Sequence, residues 1–275
     1  MSLKVEINGK QYEAENGEYI LNICRRNRIL IPTLCHHDGL SGLGACRLCV
    51  VEADEGNGKK VVVSCVYPVT RDCKIFTESD KIKNIRKTIL SMLKTRAPEG
   101  DRLASLCQIY GVGENARFSA PKAVKGKPAE KHLASACVLC GLCAHACTSL
   151  GTGAISTVGR GVGKKVSTPY NEPSADCIGC GSCASVCPTK AIDCVESPAL
   201  RSGASSRTIW GKTFKLIQCG SCGKAFATEE EYAWAQKKAA LEKDGPGETA
   251  DTPLCDICRR RKIADVFTSA FGERT

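Results

Sequence analysis

Two cysteine runs constrain this chain more than any other feature. The first reads Cys137-Val-Leu-Cys140-Gly-Leu-Cys143-Ala-His-Ala-Cys147 and the second Cys177-Ile-Gly-Cys180-Gly-Ser-Cys183-Ala-Ser-Val-Cys187-Pro188. Each is C-x2-C-x2-C-x3-C, a spacing that wraps three thiolates around one cubane 4Fe–4S cluster and sends the fourth to its neighbour. One ligand set is therefore expected to be Cys137, Cys140, Cys143 and Cys187, and the other Cys177, Cys180, Cys183 and Cys147. A single run is also compatible with zinc, whereas two in tandem point to a two-cluster module of the bacterial ferredoxin kind.

The 275 residues carry 20 cysteines, which leaves a disulfide scaffold or a metal protein. Disulfide scaffolds are short and secreted, whereas these cysteines fall in C-x2-C units, so metal ligation in a reducing cytoplasm is the expectation. The opening Met1–Glu6 shows no apolar signal region, and no long apolar run suggests a membrane span. The formal net charge of +10 treats every cysteine as neutral. Cluster-bound thiolates leave about −2 per site, so three clusters bring the balance to roughly +4 and a fourth to roughly +2. Nucleic-acid binding is not implied by so small an excess, and aromatics are only 5% of the chain.

In the N-terminal third, Leu3, Val5 and Ile7 alternate up to Asn8-Gly9, a hairpin signal, and Glu18–Asn27 has helical spacing with Cys24 on its apolar face. A third cysteine set follows: Cys35, Cys46, Cys49 and, beyond the strand Val61–Ser64, Cys65. A loop cysteine, a C-x2-C pair and a distant fourth form a plant-type 2Fe–2S pattern, here with a longer first gap. Hairpin, helix, ligand loop and later strand match a β-grasp domain over residues 1–78, while His36 and His37 are read as loop residues. The competing reading for this set is zinc, which usually pairs two short knuckles instead.

Residues 79–127 read as a helical connector. Asp80–Arg96 places Ile82, Ile85, Ile89, Met92 and Leu93 on one face, and Asp101 is expected to cap a second helix whose stripe contains Leu103, Leu106, Cys107 and Tyr110. Ala116–Lys131 reads as a linker, 128–199 as the two-cluster domain, and Leu200–Arg207 as a second linker. Cys73 and Cys194 sit in strand-like segments without a C-x2-C partner, and His145 reads as a surface residue of the cluster helix. The tail, 206–275, pairs Cys219-x2-Cys222 with Cys255-x2-Cys258, a zinc-ribbon arrangement that a further 4Fe–4S cluster also accommodates. Thr228 and Glu231 make a capping box, and Arg259–Lys262 reads as a solvated helix face.

Ile31-Pro32-Thr33-Leu34-Cys35, Gly44-Ala45-Cys46-Arg47-Leu48-Cys49 and Ser64-Cys65 resemble the N-terminal region of the large iron–sulfur subunit of respiratory complex I. The same module occurs in the small diaphorase subunit of NAD-linked hydrogenases, in iron-only hydrogenases and in some formate dehydrogenases. The tandem runs and the insert Ala154–Gly161 through Ser167–Tyr170 share the resemblance, which covers about residues 1–195. Many relatives carry a further H-x3-C-x2-C-x5-C cluster; this chain has only Cys107 in that region and no histidine between His37 and His132, so that cluster is expected to be absent. The resemblance implies a non-catalytic electron-relay subunit between a flavin-containing NAD(P)H-oxidising subunit and a hydrogenase, formate dehydrogenase or similar catalytic subunit. A free multi-cluster carrier and a redox sensor with a nucleic-acid-binding ribbon are the alternatives. The expected fold class is α+β: a β-grasp domain, a helical connector, a two-cluster ferredoxin domain and a zinc-ribbon-like tail.

Overall fold

The computed structural model describes residues 2–113, 133, 135–197, 205–241 and 252–271, which divide into two compact units. The linker expected at Ala116–Lys131 and most of that at Leu200–Arg207 lie outside the described residues.

The first unit comprises residues 1–151, 155–167 and 182–192. It opens with β1 (Ser2–Ile7) and β2 (Lys10–Glu15), antiparallel with Val5 opposite Tyr12. Asn8 and Gly9 both take positive φ, 50° and 84°, the twist a two-residue hairpin turn needs. With β3 (Val50–Asp54), β4 (Lys59–Val63) and β5 (Cys73–Phe76) these strands form one sheet in the order β2-β1-β5-β3-β4, the order of a β-grasp sheet. β5 runs parallel to β1 and pairs Ile75 with Ile7, closing the sheet around everything between.

Helix α1 (Ile20–Arg26) packs on this sheet through Ile20, Ile23 and Cys24 against Val5, Ile7, Val51 and Ile75. It starts two residues later than its spacing predicts. Glu18 instead accepts the Glu15 N–H and the Arg26 guanidinium, while Tyr19 bridges to Pro68. Burial pushes the Cys24 thiol up to about 12, so it packs as a neutral hydrophobe.

Helix α2 (Asp80–Arg96) has the bounds its sequence predicts, with Ser79 accepting the Ile82 N–H at 3.3 Å as N-cap. Its buried face matches the expected one only in part: Ile82 is buried and Ile89 and Leu93 pack against the core. Ile82, Arg86 and Leu90 turn inward, whereas Met92 is 45% exposed. The apolar count passed over Arg86 because it is charged, although it shares a helical row with Ile82 and Leu90 and is fully buried. In α3 (Asp101–Ile109) the cap position belongs to Gly100, and Asp101, inside the first turn, makes no capping bond. Gly100 packs against Thr189, whose Cγ2 would lie 3.1 Å from an added Cβ, so that close approach leaves no side chain at the cap. Cys107 is buried against Leu90, Leu103 and Leu142, in keeping with packing. The unit is completed by α4 (Leu142–Ser149), the hairpin β6 (Ser156–Val158) and β7 (Lys165–Ser167), and the short α5 (Ser182–Ser185).

The second unit comprises residues 152–154, 168–181 and 193–275. Its strands β8 (Cys194–Ser197), β9 (Ser206–Ile209), β10 (Lys212–Gln218) and β11 (Ala225–Thr228) form a sheet in the order β11-β10-β9-β8. The break expected between the two-cluster domain and the tail thus falls between strands that pair, with Val195 opposite Thr208. Helix α6 (Glu229–Leu241) starts on the expected capping box, Thr228 Oγ1 accepting the Glu231 N–H at 3.0 Å and Glu231 accepting the Thr228 N–H at 3.4 Å. Helix α7 (Asp256–Phe271) carries Arg259–Lys262 on its exposed surface. Among the described residues no helix is long and apolar enough to cross a membrane.

Candidate metal centres

Cys35, Cys46, Cys49 and Cys65 are all buried, none more than 8% exposed, Cys35 and Cys46 in the core with Leu48 and Leu90 and Cys49 and Cys65 beside Leu21 of α1. The Cys46 N–H donates to the Cys35 sulfur at 3.2 Å. The four thiols interact as two pairs. A hydrogen bond with Cys35 holds Cys46 down at about 6, and one with Cys65 holds Cys49 at about 7. Cys35 and Cys65 move up correspondingly. Two sulfurs in each pair, with both pairs close enough to sense each other, suit a binuclear centre that takes two thiolates per iron. The Ser64 hydroxyl, fully buried, also lowers Cys49. Gly42 allows the loop to close: a Cβ there would sit 2.6 Å from the Cys65 carbonyl oxygen.

Arg86 braces this loop from behind. Its Nε donates to the Leu48 carbonyl at 3.1 Å and Nη2 to the Val50 carbonyl at 2.9 Å, one on each side of Cys49. Nη1 reaches Glu78 at 2.6 Å and the Tyr110 hydroxyl at 3.0 Å. Composition gave no sign of this residue; the one available signal was an Arg on the i, i+4, i+8 row with Ile82 and Leu90. His37 is exposed and accepts the Gly39 N–H, and His36 lies 3.6 Å from Asp38, its buried Nδ1 making no hydrogen bond.

Cys137, Cys140, Cys143 and Cys187 line one cavity with Val138, Val166 and Ile192. Burial raises the Cys137, Cys140 and Cys143 thiols, Cys140 to about 12. Such an apolar pocket disfavours bare thiolates and favours them only around a cationic core. Backbone N–H groups already face the sulfurs, Leu139 to Cys137 at 3.4 Å and Ala191 to Cys187 at 3.3 Å. Cys140 shares a buried apolar core with Cys35 and Cys46. His145 is half-buried rather than a surface residue, with Nε2 3.2 Å from the Ser41 hydroxyl of the first loop. Of the other expected set, Cys147 and Cys183 belong to the first unit, and Cys177 and Cys180 to the second.

In the tail, the sulfurs of Cys219, Cys222, Cys255 and Cys258 all lie within 4.8 Å of one another. The Cys255 N–H donates to the Cys219 sulfur at 3.4 Å, the foremost cause of a thiol held down at about 6. Four thiolates 2.3 Å from one zinc ion stand about 3.8 Å apart, whereas the thiolates around a cubane stand about 6 Å apart. The observed spacing fits a single ion.

Residues 1–80 match the family described as a 2Fe-2S iron-sulfur cluster binding domain, and residues 136–191 a 4Fe-4S dicluster domain. The chain is 31% identical over 179 residues to the NADH-ubiquinone oxidoreductase 75 kDa subunit of Reclinomonas americana, a match covering 60% of this chain and 26% of that protein. It is 26% identical to an NADH-quinone oxidoreductase subunit of Rickettsia felis, covering 70% of this chain and 30% of that protein. The chain thus spans under a third of the length of these curated relatives. Among solved structures, a chain of an NAD+-reducing [NiFe]-hydrogenase superposes with a TM-score of 0.52 at 25% identity, covering 61% of this chain and 75% of that one. An N-terminal 2Fe–2S domain, a later 4Fe–4S dicluster domain and these likenesses make the chain an iron–sulfur protein related to the 75 kDa subunit of NADH-ubiquinone oxidoreductase, to its NADH-quinone counterparts and to a chain of an NAD+-reducing hydrogenase.

Proposed function

We propose that this chain is an electron-relay subunit of an oxidoreductase complex, without a substrate-transforming site of its own. The observation that carries the reading is the shared apolar core of Cys35, Cys46 and Cys140, which puts the expected 2Fe–2S and first 4Fe–4S ligands into one water-excluding block. When bound, the clusters supply reversible one-electron chemistry. Cys35, Cys46, Cys49 and Cys65 would hold the 2Fe–2S centre. Cys137, Cys140, Cys143 and Cys187 would hold one cubane, and Cys177, Cys180, Cys183 and Cys147 the other. The residues around them keep the sulfurs in place, donate backbone N–H groups to them and exclude water. Cys219, Cys222, Cys255 and Cys258 would hold a structural zinc ion, as their short mutual spacing favours.

The partners would be a flavin-containing NAD(P)H-oxidising subunit on one side and a hydrogenase, formate dehydrogenase or similar catalytic subunit on the other. The names of the relatives, an NADH-ubiquinone oxidoreductase subunit and an NAD+-reducing [NiFe]-hydrogenase, support the NADH-linked and hydrogenase parts of that choice. A reducing, cytoplasmic setting suits so many thiolate ligands. The test is anaerobic purification with iron and sulfide analysis, electron paramagnetic resonance, and identification of co-purifying polypeptides. About ten irons per chain, distributed over one binuclear and two cubane signals, are expected, together with flavoprotein and catalytic partners. A chain with one cluster, or a stable monomer that serves unrelated enzymes, overturns the proposal.

A further inference from the structure

The tail begins where the resemblance to known iron–sulfur subunits ends, yet its sheet is built onto the second cysteine run. Within the second unit, three consecutive backbone carbonyls of the Cys177–Cys180 loop are each taken by a tail side chain. Lys212 Nζ donates to the Cys177 carbonyl at 3.1 Å, Thr228 Oγ1 to the Ile178 carbonyl, and Arg207 Nη1 to the Gly179 carbonyl at 2.9 Å. The donors come from β10, β11 and β9 in turn. Between them the fully buried Phe214 ring lies against Gly179, where a Cβ would come within 2.6 Å of the ring. Gly179 also has φ +68°, so its lack of a side chain is required twice over.

A loop that wraps a cluster must turn its N–H groups toward the sulfurs, which leaves its carbonyls pointing away. Here those outward carbonyls meet side-chain donors instead of water. The two cations differ. Arg207 is engaged by Glu196 at 2.8 Å and Glu231 at 3.5 Å, so its charge is offset. Lys212 makes no ion pair within 4.0 Å among the described residues and rests over the Phe214 ring at 4.6 Å. Its charge therefore acts on whatever the neighbouring loop holds. β10 runs from Lys212 toward Cys219, the first residue of the four-cysteine site, so that site anchors the far end of the bracing strand.

We infer that the tail is a dedicated brace for the second cubane: Arg207, Thr228 and Phe214 fix its ligand loop, and Lys212 is the positioning residue whose uncompensated charge raises that cluster's reduction potential. This rests on the proposed ligation by Cys177 and Cys180. A unit charge several ångströms from a buried centre biases its reduction about tenfold, which for a one-electron couple is 59 mV.

The test is an anaerobic redox titration of the intact chain followed by electron paramagnetic resonance, with Cys177→Ser marking which cubane signal belongs to the second run. Lys212→Met is expected to lower the reduced-to-oxidised ratio of that cubane about tenfold at fixed potential, with the other cubane and the 2Fe–2S signal unmoved. Lys212→Arg is expected to restore it. Absence of a second cubane from the parent chain overturns the ligand assignment, whereas two cubanes with an unshifted second signal in Lys212→Met overturn the brace. Equal shifts of both cubanes also overturn it. Thr228→Val keeps Lys212 in place and is expected to shorten the lifetime of the second cubane in air severalfold while leaving its potential unchanged; a lifetime equal to the parent's counts against the brace.

Discussion

Replacing Arg86 by Met tests how the 2Fe–2S loop is supported. The guanidinium is fully buried and makes four hydrogen bonds, two of them to the backbone carbonyls of Leu48 and Val50. Removing it leaves both carbonyls unpaired, at about 1–3 kcal/mol each. Glu78 is 45% exposed, so water takes over its charge and that ion pair adds only about 0–1 kcal/mol. Relief of the guanidinium's own desolvation offsets part of the sum. A net loss of about 3 kcal/mol remains, a large share of a typical domain's roughly 5–15 kcal/mol. At about 2–4 °C per kcal/mol for a chain of this size, the apparent melting temperature should fall by about 6–12 °C. The assay is thermal unfolding of the loaded chain, followed by circular dichroism and by the visible absorption of the binuclear centre. Arg86→Lys keeps the charge but not the planar fork, and should fall between the two. If Arg86→Met melts within about 2 °C of the parent with its 2Fe–2S spectrum intact, the bracing role is wrong.

Three further outcomes are expected. Cys187→Ser should disturb the cubane of Cys137, Cys140 and Cys143, and Cys147→Ser the cubane of Cys177, Cys180 and Cys183; a change confined to the cluster of the mutated run would refute crossed ligation. Metal analysis of the intact chain should find one zinc per chain, lost in Cys222→Ser while the iron content stays unchanged, and a third cubane in place of zinc would refute the single-ion reading. Ser79→Ala should cost about 1 kcal/mol in denaturant unfolding, because it removes both the N-cap of α2 and a 2.6 Å bond to Glu52; an unchanged midpoint would show the cap to be dispensable.

Much of this was legible in the residues because local chemistry decided it. Asn8-Gly9 made the hairpin, and Thr228 with Glu231 started α6, each by a hydrogen bond or dihedral confined to a few neighbours, and apolar spacing gave the bounds of α2. Long-range choices were not legible. Nothing near Arg86 in the chain says that its acceptors, Leu48 and Val50, arrive from more than thirty residues away. Apolar counting therefore missed Arg86 on the buried face of α2 and put Met92 inside, while placing Ile82, Ile89 and Leu93 there correctly. Asp101 looked like a cap because the contact between Gly100 and Thr189 is set by tertiary packing. Ligand type left the tail's metal open between zinc and a cluster, and what the fold adds is the convergence of its four sulfurs within 4.8 Å of one another. The bracing of the Cys177–Cys180 loop had no sequence signature, since Lys212, Thr228 and Arg207 are ordinary strand residues until the sheet places them.

The parallel pairing of β1 with β5 has a consequence for assembly on the ribosome. Cys35, Cys46, Cys49 and Cys65 all fall between Ile7 and Ile75, the residues that close this sheet. Once β5 has left the exit tunnel, the first binding site has every ligand and every strand it needs, while the rest of the chain is still being translated. The Cys177–Cys180 loop is in the opposite position, because its carbonyls wait for donors as far downstream as Thr228. Maturation should therefore proceed from the N-terminus, with the binuclear site ready for loading early and the second run left open longest. Premature termination within the tail would then leave the Cys35–Cys65 segment complete and the Cys177–Cys180 carbonyls without their donors.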